Sequence, residues 1–361
     1  MINTDIAIVG GGPAGLCAAI SAAESGAKVT LIERDGELGG QLVKQTHMFF
    51  GSEKQYASTR GIDIIDILLE KLEKNKENVT IMKNTTVLGR YEDGVITAME
   101  DENKYLKIKP EALVIGTGAT EKFLGFPNND LPGIYGAGAV QTLMNVYGVR
   151  PGDKVLMVGA GNIGLIVSYQ LMQAGVKVEA IIDAAPKIGG YLVHASKIRR
   201  MGVPIYTSHT VKEAVGTDHL EKAIIWELDE KWQPIKGSEK EYDVDVMCVS
   251  VGLSPLNELL VMAGCEMQYV PELSGNVPLR NENYETTAEN IFVAGDSCGV
   301  EEASSAMVEG YLAGLTAAAK IGKIHPDYEK KKADYVKQLD DLRSGPVGKH
   351  IRAGIEKIVR R

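Results

Sequence analysis

Residues 5–20 read Asp5-Ile-Ala-Ile-Val-Gly-Gly-Gly-Pro-Ala-Gly-Leu-Cys-Ala-Ala-Ile20. An apolar, strand-like run passes through a glycine-rich turn into a helix-like run. Each glycine of the GxGxxG pattern plays its own mechanical part. Gly10 makes the tight turn, Gly12 lets a phosphate approach the backbone, and Gly15 allows helix to pack on strand. Pro13 suits a first helical turn, and with Ala14 it opens a helix whose unpaired N–H groups and positive dipole end favour an anion. The next apolar run, Lys28–Ile32, ends in Glu33, 23 residues past Gly10, where a carboxylate can take ribose hydroxyls. Strand, turn, helix and acid together predict a dinucleotide site.

The pattern recurs. Lys154-Val-Leu-Met-Val-Gly-Ala-Gly-Asn-Ile-Gly-Leu165 repeats it with Gly159, Gly161, Asn162, Ile163 and Gly164. A helix is expected to Ala174 and a strand over Lys177–Ile182, ending in Asp183, 24 residues past Gly159. A carboxylate there accepts both ribose hydroxyls of NAD and repels a 2′-phosphate, so NADH is expected over NADPH. The same pattern is also compatible with another adenine nucleotide, or with a fold kept without its ligand. Two further apolar runs, Ala112–Ala119 and Val244–Val251, enter the glycine turns Gly116-Thr117-Gly118 and Gly252-Leu253-Ser254. A third, Asn290–Ala294, enters Gly295-Asp296.

Composition sets bounds. The 361 residues are 44% hydrophobic, enough to bury cores in two domains, and a net charge of −9 argues against nucleic acid or an anionic membrane surface as main partner. Every long apolar run is interrupted by Gly, Lys or Glu before the ~18 residues a membrane span needs. Met1–Asp5 runs directly into the first strand, without a leader pattern. Cys17, Cys248, Cys265 and Cys298 are scattered, with no CxxC and no metal-ligand spacing, which suits reduced thiols in the cytoplasm and no metal site.

The ordered set GxGxxG, Thr-Gly turn, GxGxxG and Gly-Asp resembles the pyridine nucleotide-disulfide oxidoreductase superfamily of FAD proteins over roughly residues 1–322. That resemblance implies an α/β fold of two Rossmann-like dinucleotide-binding domains with parallel sheets. The FAD domain would be discontinuous (1–120 and 285–325), the NAD(H)-binding-like domain would span 121–284, and a helical tail would follow at 326–361. It implies FAD contacts from Arg34, Gly39, Gly40, Gln41, Thr117 and Gly118, from Gly295 and Asp296 on the ribityl chain, and from Ala303 with Glu302 and Ser304 at a helix N-terminus beside the flavin. Lys44, Thr46 and His47 are nearby polar groups, His47 more structural than catalytic in its setting. No catalytic side chain is assigned.

Departures narrow the function. The chain lacks both the CxxxxC after the Gly-Gly loop and the second-domain CxxC of the disulfide-reducing branches, so disulfide reduction is not expected. Val249–Pro255, Glu258–Cys265 and Tyr284-Glu-Thr-Thr before Gly-Asp-Ser-Cys-Gly are similar to the FAD-carrying α-type subunits of sarcosine oxidase, opine oxidase, proline and hydroxyproline dehydrogenase and hydrogen cyanide synthase complexes. The resemblance implies an oligomer with a flavoprotein or iron–sulfur partner subunit, electrons passing between NAD(H) and FAD. The alternatives are a stand-alone NADH-dependent reductase of a small acceptor and a non-catalytic nucleotide-binding subunit. Val347, Ile351, Ile355 and Ile358 form an apolar stripe on a basic helix, able to pack on its own domain, a twin subunit or a partner.

Overall fold

The computed structural model describes residues 1–49 and 52–360; the side chain of Val347, one position of the C-terminal stripe, also lies outside the described residues. The chain folds as two compact units, Met1–Thr120 with Ser254–Arg361, and Glu121–Leu253.

The first unit opens with β1 (Ile2–Val9), α1 (Pro13–Glu24), β2 (Val29–Ile32), α2 (Gly61–Glu73), β3 (Val79–Met82), β4 (Thr85–Arg90), β5 (Ile96–Glu100) and β6 (Lys104–Ile115), and leaves through β7 (Ala119–Glu121). Strand order is β3-β2-β1-β6-β5-β4. The β3-β2-β1-β6 part is parallel, as expected, whereas β4, β5 and β6 form an antiparallel meander that the sequence reading did not anticipate.

The second unit comprises β8 (Ile134–Gly136), α3 (Ala137–Asn145), β9 (Lys154–Val158), α4 (Asn162–Gln173), β10 (Lys177–Ile182), α5 (Leu192–Arg200), β11 (Ile205–Tyr206), an antiparallel trio β12 (His209–Val215), β13 (Lys222–Glu227) and β14 (Lys240–Asp243), and β15 (Val246–Val249). Its main sheet is parallel throughout, in the order β11-β10-β9-β15-β8. The fully buried runs Val155–Val158 and Val246–Val249 fit strands covered on both faces.

The chain returns through β16 (Leu253–Pro255), α6 (Glu258–Met262), an antiparallel ribbon of β17 (Met267–Val270) and β18 (Gly275–Pro278), β19 (Ile291–Val293), α7 (Ala303–Lys320), α8 (Tyr328–Leu342) and α9 (Pro346–Ile358). β19 joins the first sheet beside the C-terminal half of β6.

Two expected boundaries are corrected. Residues 254–284 belong to the first unit, not the second, because Leu260, Ala263 and Cys265 bury in its main core. The tail is likewise part of that unit: Leu339 enters the main core, and Ile351, Ile355 and Ile358 pack against Val270, Leu273, Val277 and Leu279. The described part of the apolar stripe is therefore covered by its own unit.

The contact between α1 and α7 sets the geometry of this unit. Both helices are buried almost all round, which explains their small residues. A side chain at Gly310 or Gly314 would begin inside the backbone of Ala14 or Ala18. We expect Gly314→Val to lower stability by about 2–3 kcal/mol, the upper part of the usual range for overpacking, as measured by urea unfolding.

Candidate nucleotide sites

The first glycine turn sits where β1 meets α1. Gly10 adopts φ +107° and donates its N–H to Ile32 O at 2.9 Å; a Cβ there would collide with the Gly116 carbonyl. One at Gly15 would collide with the carbonyl of Gly10 itself. Gly12 is different: the nearest atom to a Cβ there is Gly40 Cα, at 3.8 Å. Its small size is not needed by the packing around it, which leaves open space beside the turn. Gly12 is also the N-cap of α1 and brings no side-chain cap, which leaves the first-turn N–H groups available to an anion.

Glu33 is buried at the end of β2, and both its oxygens are engaged: Oε2 accepts from Gly11 N at 2.6 Å and Oε1 from Asp35 N at 2.9 Å. An ionised carboxylate has lone pairs for about four partners, so Glu33 can clamp the turn and still accept hydroxyls. Gly39 donates to Gly11 O at 2.8 Å, laying the Gly39-Gly40 loop over the turn; Gln41 and Arg34 are exposed beside it. Thr117 Oγ1 donates to Leu256 O at 2.7 Å, and Leu256 N to Gly118 O at 2.9 Å, so this pair ties the outgoing chain to the returning one. His47 is half-buried and stacks on Phe49, ring centres 5.9 Å apart.

Gly295 and Asp296 lie at the same strand ends. Ala294 N donates to Ile115 O at 3.1 Å, and Gly295, at φ +72°, faces Ala14 and Ala306 so closely that a Cβ would come within 2.9 Å of the Ala14 methyl. The Asp296 carboxyl is pushed up to about 7 by burial, with Glu309, Glu301 and Glu302 adding repulsion against a single opposing bond from Glu301 N. α7 starts at Ala303 with Glu302 as N-cap and no side-chain cap; Ser304 follows in the first turn, and Ser305 N already donates to Glu302 O at 3.0 Å.

The second turn reproduces the first. Gly159 takes φ +115° and donates to Ile182 O at 2.7 Å; Cβ atoms at Gly159 and Gly164 would strike the carbonyls of Ser250 and Gly159, and one at Gly161 would meet nothing within 4 Å. Asp183 clamps this turn as Glu33 does the other, accepting from Ala160 N at 2.7 Å and Ala185 N at 2.8 Å. Asn162 Oδ1 accepts from Tyr191 N at 2.8 Å, while Ile163 is partly exposed. Gly190 N donates to Ala160 O at 2.9 Å, a bond like that of Gly39 N on Gly11 O but from the second glycine of its pair, not the first. The sequence reading missed this loop. Its signal was visible: Leu38-Gly-Gly-Gln-Leu-Val43 recurs as Ile188-Gly-Gly-Tyr-Leu-Val193.

All four cysteines are free and buried. Burial pushes the Cys17 thiol up to about 12 and raises those of Cys298, Cys248 and Cys265 as well. Among the described residues there is no cluster suited to a metal ion, and no helix is long and apolar enough to cross a membrane.

The sequence model of the pyridine nucleotide-disulphide oxidoreductase family matches residues 4–310. The chain belongs to that family. It is thereby an FAD-dependent oxidoreductase whose cofactors are those of the family, FAD and NAD(P). It is similar to the alpha subunit of sarcosine oxidase from Corynebacterium sp. (strain P-1), at 29% identity over 89% of this chain and 33% of the relative. It is also similar to an opine oxidase subunit of Agrobacterium tumefaciens (strain Ach5), at 26% identity over 88% of this chain and 66% of the relative. The chain thus spans a third to about two thirds of the length of these relatives. The fold matches T. acidophilum thioredoxin reductase with a TM-score of 0.72 at 20% identity, over 88% of this chain and 99% of that one.

The residues fit these cofactors: open middle glycines, uncapped helix N-termini and a buried acid. Gly12→Ala should leave the melting temperature of the flavin-free protein unchanged and sharply lower the flavin it retains, read from flavin absorbance after purification. Asp296 gives a pH signature in the flavin-free protein. Its folded pKa is raised, so its contribution is full below the ordinary value of 3.8 and is lost as pH rises through about 7. Asp296→Asn should therefore match the parent near pH 4 and exceed it by on the order of 4 kcal/mol near pH 8, by urea unfolding at each pH.

Proposed function

We propose that this chain is the nucleotide-carrying electron-transfer subunit of a multi-subunit amine or amino-acid dehydrogenase, exchanging reducing equivalents between FAD and NAD(H), with NADH preferred. The observation that carries the reading is the duplicated turn. Each copy has an open middle glycine, an uncapped helix and a clamped carboxylate, and neither is accompanied by an accessible thiol pair among the described residues.

When bound, the two nucleotides supply the hydride chemistry themselves. The chain's contribution is to bind and orient. In the first unit the Gly10–Gly15 turn would hold the pyrophosphate of FAD: Gly10 and Gly15 shape the turn, Gly12 leaves room for a phosphate, Pro13 fixes the first helical turn and Ala14 offers an amide, while Glu33 would accept ribose hydroxyls. The Gly39–Gln41 loop with Arg34, the Thr117-Gly118 turn, Gly295, Asp296 and Ala303 complete the cradle. The N-terminal end of α7 would offset negative charge on a flavin held there. In the second unit Gly159, Gly161, Asn162, Ile163 and Gly164 hold NAD, and Asp183 takes its ribose hydroxyls. The Asp183 carboxylate is fixed by two backbone bonds and cannot swing away from a 2′-phosphate.

Both of these relatives are subunits by name, one of a sarcosine oxidase and one of an opine oxidase, which supports an assembly in which a second flavoprotein subunit oxidises the C–N substrate and any iron–sulfur cluster belongs to a partner. Four free thiols favour a reducing, cytoplasmic setting.

The test is an anaerobic titration of the purified chain with NADH. Rapid bleaching of the flavin is expected, and a flavin that stays oxidised sinks the reading. NADPH should be roughly tenfold or more weaker, since about 1.4 kcal/mol of charge repulsion suffices for that. Asp183→Asn, which keeps one oxygen acceptor, should narrow the gap.

A further inference from the structure

Arg343 stands at the joint between α8 and α9, beyond the residues matched by the family model, and its side chain is buried in the first unit. The joint is built to aim it. Arg352 Nε donates to Arg343 O at 2.9 Å, and a side chain at Gly348 would collide with that same carbonyl. The guanidinium makes a paired contact with Glu301, Nε to Oε2 at 3.1 Å and Nη2 to Oε1 at 2.7 Å, and Nη2 also donates to Glu309 Oε1 at 2.5 Å.

Both carboxylates lead to the flavin turn. Glu309 Oε2 accepts the N–H of Gly295 at 2.9 Å, and its Oε1 accepts the Tyr284 hydroxyl at 2.9 Å. Glu301 immediately precedes the N-cap of α7, and its N–H donates to Asp296 Oδ1 at 3.3 Å. Four carboxyl groups, Asp296, Glu301, Glu302 and Glu309, therefore crowd one helix N-terminus. Burial raises the Glu301 carboxyl while Arg343 pulls it down.

We propose that Arg343 is a positioning residue for the flavin: by holding Glu301 and Glu309 it fixes the Gly295–Asp296 turn and offsets anionic charge at the N-terminus of α7, and so sets flavin affinity and midpoint potential. The inference rests on the FAD reading of this turn. Negative charge left uncompensated there disfavours the reduced, more anionic flavin and lowers its potential. Lysine would restore the charge without the planar fork that spans two oxygens.

The experiment uses the full chain, with FAD affinity from fluorescence titration and midpoint potential from equilibration with a reference dye. Arg343→Met should bind FAD about tenfold more weakly and shift the potential down by about 30 mV, a tenfold change in relative affinity for the two redox states of a two-electron couple. The Arg343→Met, Glu301→Gln double variant should return the potential toward the parent, because an anion leaves with the cation; Arg343→Lys should keep the potential better than the affinity. Parent-like affinity and potential in Arg343→Met, or a double variant no closer to the parent, overturns the proposal. If Arg343→Met does not fold, Glu301→Gln alone should raise the potential, and an unchanged value is equally decisive against it. A parent chain that takes up no FAD defeats the underlying reading instead, an outcome distinct from retained flavin with an insensitive potential.

Discussion

Backbone-to-backbone contact at a few glycines is the constraint on which the first unit depends. Gly15 seats α1 on the carbonyl of Gly10, and Gly310 and Gly314 seat α7 on the carbonyls of Ala14 and Ala18. Because Ala14 meets Gly310 and Ala18 meets Gly314, the two helices run in the same direction and their N-termini open on the same side. They are also staggered. Ala14 is one residue past the start of α1, whereas Gly310 is seven past the start of α7, so α7 projects about 9 Å further at 1.5 Å per residue. Two positive dipole ends at different depths suit an extended ligand that carries negative charge at two separated points.

The acids around these turns divide by environment, not by type. Glu33 and Asp183 each accept two backbone N–H groups, and each holds its glycine turn closed from the second strand. Asp296 has a single long bond, burial and three acidic neighbours, and its carboxyl rises to about 7. An acid left in that state is a poor structural device and a good partner for hydroxyl groups supplied from outside. The buried unit Arg343–Glu301–Glu309 stands between the two cases, with charges satisfied internally.

What the sequence made legible follows from how local each feature is. The glycine turns, the acids at strand ends and the α/β order are written within about 30 consecutive residues each, and the structure places strands and helices where those patterns put them. The Gly189-Gly190 loop was equally legible, through its likeness to Gly39-Gly40, and was overlooked. The return point at Ser254 was not legible, since it depends on Leu260 and Cys265 finding the first core rather than the second. The apolar face of α9 could be read, but not its covering ribbon, whose partners are some 80 residues distant. The two ion pairs of Arg343 join residues 42 and 34 apart with no periodic pattern to announce them. Nor was the partner of Thr117 legible, because its hydroxyl goes to a carbonyl 139 residues on.

The family name records disulphide chemistry, and the thiols of this chain argue for separating that chemistry from the scaffold. Exchange with a disulfide requires a thiolate able to reach its target. With a pKa near 12, Cys17 is ionised to only about one part in 100,000 at pH 7. Cys298, the sulfur nearest the Gly-Asp turn in sequence, is buried against Glu309 Oε2 at 3.6 Å, a neighbour that opposes ionisation further. What the chain shares with the disulfide-reducing branch is therefore the pair of nucleotide cradles. Its four cysteines are all buried, so none offers an exposed sulfur to a disulfide partner.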